Sequence, residues 1–316
     1  VTDIARRERA ARISALPFER VETHRRGLFA GTRGSLSQLW KFRELLGLLV
    51  RRELKAKYKD SSLGFIWSFI KPIMLLLIYY FAIGQFLGAQ RSIPMFGIFV
   101  FAGLVLWGLY SEILVGGTMS ILQNAALIKK VSLPREIFPL ASVGSAFVNF
   151  LFQAVVLAVA VVAFGQATAT WDVFYAIPAV LIVLVYGTAL ASLLAALNVY
   201  LRDVQYLVDV AVLMLFWLSP IVYSYQMVAS VIGGTWIESV YLANPITVAV
   251  LAFQRAVWLP GPATQTGLAE LGVDPTTMYP ADLDIRIIIM LAIGAVLVWL
   301  SHRIFLRLQG NFAQEI

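Results

Sequence analysis

The chain has 316 residues, of which 60% are hydrophobic and 14% charged, with a net charge of +7 and no cysteine. That is too little charge to cover the surface of a soluble domain of this length. With no cysteine, a disulfide, a thiolate metal site and a thiol nucleophile are all excluded. The composition implies an all-α integral membrane protein.

Residues 1–34 are Arg-rich, broken by Pro17, Gly27, Gly31 and Gly34, and have no apolar core of the signal-peptide kind. A basic arm resting on lipid headgroups is expected. Residues 35–60 read as an amphipathic helix. Ser37 can cap its start. Leu39, Phe42, Leu46, Leu49 and Tyr58 recur near helical spacing among Lys41, Arg43, Glu44, Arg51, Arg52, Lys55 and Lys57. Such a helix lies in the membrane interface with its apolar face toward lipid or toward the bundle. It is either a plain anchor or a lever that senses a partner, and the residues alone leave these two readings even.

Six apolar stretches follow, at 63–87, 95–122, 138–164, 174–200, 205–225 and 285–305. Each approaches or exceeds the roughly 20 residues that a crossing helix needs. Lys71-Pro72 interrupts the first, where Lys71 can snorkel to the interface and Pro72 can kink the helix. Between the second and third, residues 123–137 mix Ile128, Val131 and Leu133 with Lys129, Lys130, Arg135 and Glu136, and Pro134 breaks the run. A half-apolar connection of this kind suits docking into a groove on another protein better than mere linkage. Between the fifth and sixth, residues 228–242 and 246–259 are apolar but too short to cross, and Asn244-Pro245 divides them. They read as a short re-entrant outer hairpin at about 228–260, followed by a polar stretch, 261–284. The resulting domains are the arm, the interfacial helix, a six-helix transmembrane domain over 61–306 and a cytoplasmic tail over 307–316.

Charge orients the chain. Of 25 Lys and Arg, 15 precede Asp60, and Lys129, Lys130, Arg135, Arg202, Arg303 and Arg307 fall on the same side if there are six crossings. By the positive-inside rule that side, with both termini, is cytoplasmic. The basic face then meets anionic lipid or a cytoplasmic partner rather than nucleic acid.

The chemistry is defined by what is missing. No Gly-Lys pair occurs, so there is no phosphate-cradling loop of the G-x-x-x-x-G-K-[ST] kind. His24 and His302 have no second ligand at metal spacing, so no metal site is expected. Glu112 is the clearest ionisable group within a span, and Asp209 lies about one turn into another. So few are more in keeping with a satisfied structural group, or a water-lined path, than with a proton relay. Aromatic residues are abundant in and around the spans. Most should be interfacial or packing residues, but Trp107 and Tyr110, three apart with Glu112 nearby, also suit a smooth path for a sugar chain.

Several pieces together resemble a known family. They are Arg52-Glu-Leu-Lys-Ala-Lys-Tyr58-Lys, Leu63-Gly64-Phe-Ile-Trp67 with Pro72, Leu133-Pro134-Arg-Glu-Ile-Phe138-Pro139, Asn198-Val-Tyr-Leu-Arg202-Asp203-Val, Leu218-Ser-Pro220-Ile, Asn244-Pro245 and Phe312-Ala313. In this order and spacing, from about Ser35 to the C-terminus, the chain resembles the membrane subunit of type-2 ABC exporters for cell-surface polysaccharides: the O-antigen, teichoic-acid and mycobacterial galactan permeases. Lys71 before Pro72 departs from the family pattern, where an uncharged polar residue is usual.

The resemblance implies a bacterial inner-membrane exporter subunit that pairs with a second copy of itself. Two copies of a separate ATPase would bind ATP and Mg, and the substrate would be a lipid-linked polysaccharide. It implies ATPase docking at Arg51, Arg52, Lys129, Lys130, Pro134, Arg135 and Glu136. The channel wall would draw on Trp67, Tyr79, Tyr80, Trp107, Tyr110, Glu112, Phe147, Phe150, Phe216, Trp217 and Tyr223. The outer gate would be Trp236, Tyr241, Asn244, Pro245, Phe253 and Trp258. Two rival readings are an ABC exporter of a lipid or small-molecule drug, and a membrane-embedded glycosyl- or acyltransferase using the outer acids Glu238, Glu270, Asp274, Asp282 and Asp284.

Overall fold

The computed structural model describes residues 39–57, 66–86, 88–131 and 133–315. The expectations for the N-terminal arm, His24, Ser37, Tyr58 and the first three residues of span one lie outside the described residues. Every regular element among the described residues is helical.

Helix α1, Arg43–Lys57, is the expected amphipathic helix. Helix α2, Trp67–Ile78, continues as a π-helix over Tyr79–Phe86. Then come α3, Phe96–Gln123, α4, Ala125–Lys130, and α5, Ile137–Ala163. A 3₁₀ turn at Trp171–Tyr175 leads into α6, Ala176–Tyr200, and α7 is Val204–Trp217. Four short helices follow: α8, Tyr225–Ile232, α9, Trp236–Tyr241, α10, Pro245–Val257, and α11, Pro262–Glu270. The chain closes with α12, Leu283–Leu308, and α13, Phe312–Glu315.

Four of the helical stretches described, 96–130, 137–163, 171–200 and 275–311, are long and apolar enough to cross a membrane. They contain the expected second, third, fourth and sixth spans. The other two expected spans take a different form. The first appears as α2 with its π extension. The fifth stops at Trp217 instead of reaching Tyr225, because Pro220 lacks an N–H and steers Ser219 away from helical geometry.

Helix α3 is the centre of the fold. It is apolar round most of its surface, and neighbouring helices cover most of that surface. It packs against α5, α6, α7 and α10, and nearly all of Phe96–Tyr110 is buried. Helices α3 and α6 come close where Gly117 faces Ala191, and a Cβ at position 117 would lie 2.4 Å from that of Ala191. Small residues allow this backbone approach, the usual means of joining helices in lipid. Asn198 on α6, fully buried, donates to the Thr118 carbonyl at 3.2 Å and accepts from the Gln205 N–H at 3.3 Å. It thereby fixes the α6–α7 corner to α3.

The segment after α7 is not a simple two-helix hairpin. Asn244-Pro245 does divide it: the Asn244 side chain caps α10 by accepting from the Ile246 N–H at 3.0 Å, and Pro245 takes the first helical position. The part before this break is itself two helices, α8 and α9. The part after it, α10, lies inside the core against α3 and α6. Gln254 on α10 is fully buried and donates to the Pro220 carbonyl at 3.0 Å, a group left over where α7 ends.

A second apolar cluster forms at the basic end. It joins Leu49 of α1 to Ile128, Ile137, Phe138, Val199, Phe305 and Phe312, with Leu39, Phe42 and Leu46 packed against it. The apolar face of α1 therefore meets the bundle. The expected tail is docked here too: Phe312 is fully buried, edge-on to Phe305 at 5.6 Å.

Candidate functional site

The basic end carries the expected docking residues, and the fold sorts them into two groups. Arg51, Lys129 and Lys130 stand exposed, the two lysines in the last turn of α4. The others are engaged in contacts within the chain, Arg52 while itself exposed. Arg52 donates to the side-chain oxygen of Asn124, the residue joining α3 to α4, and Asn124 donates to the Ser120 carbonyl at 2.8 Å. Arg135 lies 5.7 Å from the Phe312 ring. Glu136 is buried, and the Pro134 carbonyl accepts from the Ile137 N–H at 3.2 Å to begin α5.

Above this end lies a polar cleft of about 450 Å³ between α1, α3 and α5, lined by Glu53, Lys57, Glu112, Gln123, Ser142 and Ser145 among others. Glu112, the carboxylate singled out within a span, is ion-paired to Lys57 in the last turn of α1. It also accepts from the Asn149 amide of α5 at 2.7 Å. Glu53 accepts a long hydrogen bond of 3.5 Å from Ser142. Burial pushes the Glu53 carboxyl above its ordinary value, against the pull of Arg52 and Lys57, and Glu112 adds to the rise. Ser145 Oγ and Asn149 Oδ1 are buried with no hydrogen-bond partner among the described residues. Helix α1 sits tightly beside this cleft, since a Cβ at Gly144 of α5 would come within 2.8 Å of Val50.

The aromatic candidates for the channel wall divide by exposure. Trp107, Tyr110 and Phe150 are covered within the single chain, Trp107 against Tyr110 and Phe216 at 5.8 and 5.7 Å. Trp67 and Trp217 are exposed, and Tyr79, Phe147, Phe216 and Tyr223 are half-buried. Tyr80 lines a separate, mainly apolar cavity of about 230 Å³ between α2 and α3.

The expected gate residues also divide. Trp236 is exposed, and Tyr241, Asn244 and Pro245 are half-buried. Phe253 and Trp258 are core residues. The Trp258 indole donates to the Pro94 carbonyl at 2.7 Å and meets Phe99 edge-on at 5.1 Å. Glu238 accepts from the Tyr225 hydroxyl and from the Gly234 N–H at 2.7 Å, and these two bonds hold its carboxyl below the ordinary value. Arg255 at the end of α10 pairs with Asp172 at 3.0 Å and lies over the Tyr175 ring at 4.1 Å. The acids offered for a transferase have separate partners: Asp282 pairs with Arg286, Asp284 accepts from Tyr175, and Asp274 caps its own turn.

A central apolar helix flanked by paired long helices, with an amphipathic helix docked at a basic end, can be compared with known families. The ABC-2 type transporter model matches residues 44–258. The chain belongs to this family. The matched segment begins within α1, includes the whole cleft and ends at Trp258. Among relatives, the O-antigen export system permease protein RfbA of Myxococcus xanthus is 31% identical over 283 residues, covering 88% of this chain and 98% of that protein. An RfbA of Klebsiella pneumoniae is 27% identical over 67% of this chain and 79% of its own length. The capsule polysaccharide export inner-membrane protein CtrC of Neisseria meningitidis is 26% identical over 49% of this chain and 58% of its own.

Four residues of this ABC-2 family member matter more than sequence reasoning suggested: Lys57, Asn149, Asn124 and Gln254. One signal was available for the first. A lone carboxylate within a span needs a partner, and the amphipathic helix was rich in cations.

Proposed function

We propose that this chain is the membrane subunit of an ATP-driven exporter that moves a lipid-linked polysaccharide from the cytoplasm across the bacterial inner membrane. The observation that carries the reading is the identity with an O-antigen export permease, which runs through almost the whole of that protein. O-antigen and capsule polymers are the substrates that the relatives' names support, and galactan or teichoic acid would suit the same path. ATP and Mg are bound by a separate ATPase, because this chain has no phosphate-cradling loop. Two ATPase copies dock against the exposed basic residues Arg51, Lys129 and Lys130, with α4 as the contact helix. Two copies of this chain pair. The exposed apolar faces of α2 (Ile73, Leu77, Phe81) and α7 (Leu213, Met214, Trp217) are the surfaces available for that pairing and for lipid. In this reading α2 with its π extension, and α7 with the irregular segment that follows it, complete six crossings, both termini are cytoplasmic and α8–α9 stand at the exit.

The test is deletion and complementation in the native host. Loss of this chain should abolish surface polymer, its return should restore polymer only when an ATPase subunit is present, and the purified chain alone should hydrolyse no ATP. Hydrolysis by the chain alone, or unchanged surface polymer after deletion, overturns the proposal. Loss of a lipid or of drug resistance instead of polymer would favour the rival exporter.

A further inference from the structure

Glu53, Lys57 and Glu112 line one cleft, and their arrangement is unusual for a static ion pair. Lys57 is paired across the cleft with Glu112 on α3. It is also four residues after Glu53 on α1, the spacing and order that favour a Glu–Lys pair along a helix. One ammonium on a flexible four-carbon stem thus has two carboxylates within the same opening. Glu53 is the less satisfied of them: its side-chain bond is the 3.5 Å contact from Ser142, whereas Glu112 holds both Lys57 and Asn149.

The position of α1 gives this choice a consequence. At one end of the cleft Arg52 grips Asn124, the joint from which α4 springs. One turn further on, Lys57 grips the middle of α3, and through Glu112 it reaches Asn149 of α5. Helix α1 therefore connects the exposed lysines of α4 to the interior of two long helices. A displacement of α1 along α3 stretches the Lys57–Glu112 contact but leaves Glu53 at a fixed distance, because Glu53 travels with the same helix. The 450 Å³ opening that these side chains line leaves room for water. Water in the cleft lowers the cost of carrying the ammonium between partners.

We propose that Lys57 is a positioning residue with two states, paired to Glu112 when α1 is seated and to Glu53 when α1 is displaced, and that this exchange carries the partner's movement into α3 and α5. The proposal rests on the exporter reading above. Coupling of this kind requires an element with two discrete arrangements that both sites bias, and the shared lysine supplies one.

The experiment uses the native host without its own copy, complemented by variants, with surface polymer, amount of assembled permease–ATPase complex and ATP hydrolysis by that complex all measured. Restoration by the wild-type chain is required first, and its failure counts against the exporter reading rather than the switch. Glu53→Gln keeps the bond to Ser142 but removes the second partner. It should lower export about 5-fold or more at unchanged complex level, the usual lower bound for a coupling of this kind, while ATP hydrolysis continues. The charge exchange Lys57→Glu/Glu112→Lys rebuilds a static ion pair but sets position 57 against Glu53. It should leave export low, and adding Glu53→Lys should bring it back. Wild-type export by Glu53→Gln, or full rescue by the double exchange alone, overturns the switch and leaves an ordinary salt bridge.

Discussion

Helices α1 and α10 are of similar length and are attached to the same bundle in opposite ways. Helix α10 has ten buried residues in thirteen, and buried donors tie it to the core, the Gln254 amide N–H to the Pro220 carbonyl and the following Trp258 indole to the Pro94 carbonyl. Helix α1 has one buried residue, Leu49, and is held beyond that by a partly buried apolar face and by charged side chains reaching into a cleft. Dense packing has one arrangement. Charged contacts between partly exposed side chains are individually worth little. The two attachments separate a densely packed part of the molecule from a part held largely by partly exposed side chains.

Substitutions can break this contrast, and the largest effect belongs to α10. Trp258→Ala removes a fully buried ring and its hydrogen bond, and should destabilise the chain by about 3–5 kcal/mol, read as a lower thermal midpoint in detergent or as loss of protein from the membrane. Gln254→Leu leaves the Pro220 carbonyl unmet in the core and should cost about 1–3 kcal/mol in the same assay. Leu49→Ala should cost about 2 kcal/mol and release α1, seen as faster proteolysis within residues 43–57 while α10 remains protected. Lys57→Ala should cost less stability than Trp258→Ala, since the Lys57 side chain is partly exposed and Glu112 keeps the Asn149 amide. An equal loss of stability from Lys57→Ala and Trp258→Ala would remove the distinction.

The smallest effect is at the outer corner. The bonds from Tyr225 and Gly234 depress the Glu238 carboxyl, with Arg286 and Asp282 nearby. A depressed carboxyl contributes stability that is present above its unfolded value and is lost as pH falls through the folded one. The advantage of the wild-type chain over Glu238→Gln should therefore be present at neutral pH and fade on acidification below the ordinary carboxylate range. A difference that grows on acidification would refute the assignment.

Much of this organisation is determined by the sequence alone. Long apolar runs with few charges have few alternatives to a buried or membrane-crossing helix, so α3, α5, α6 and α12 begin and end within a few residues of expectation. The proline after Asn244 and the spacing of Leu39, Phe42, Leu46 and Leu49 likewise act through the local backbone or a single helix face. The tertiary structure decided what depends on distant partners. It alone brought Lys57 to Glu112 across 55 residues and Arg52 to Asn124 across 72. It packed α10 against α3 and α6, and separated the covered ring of Trp107 from the exposed one of Trp217. The physical reason is that an apolar face or a charge states its need for a partner locally, but which partner meets it depends on how the helices pack.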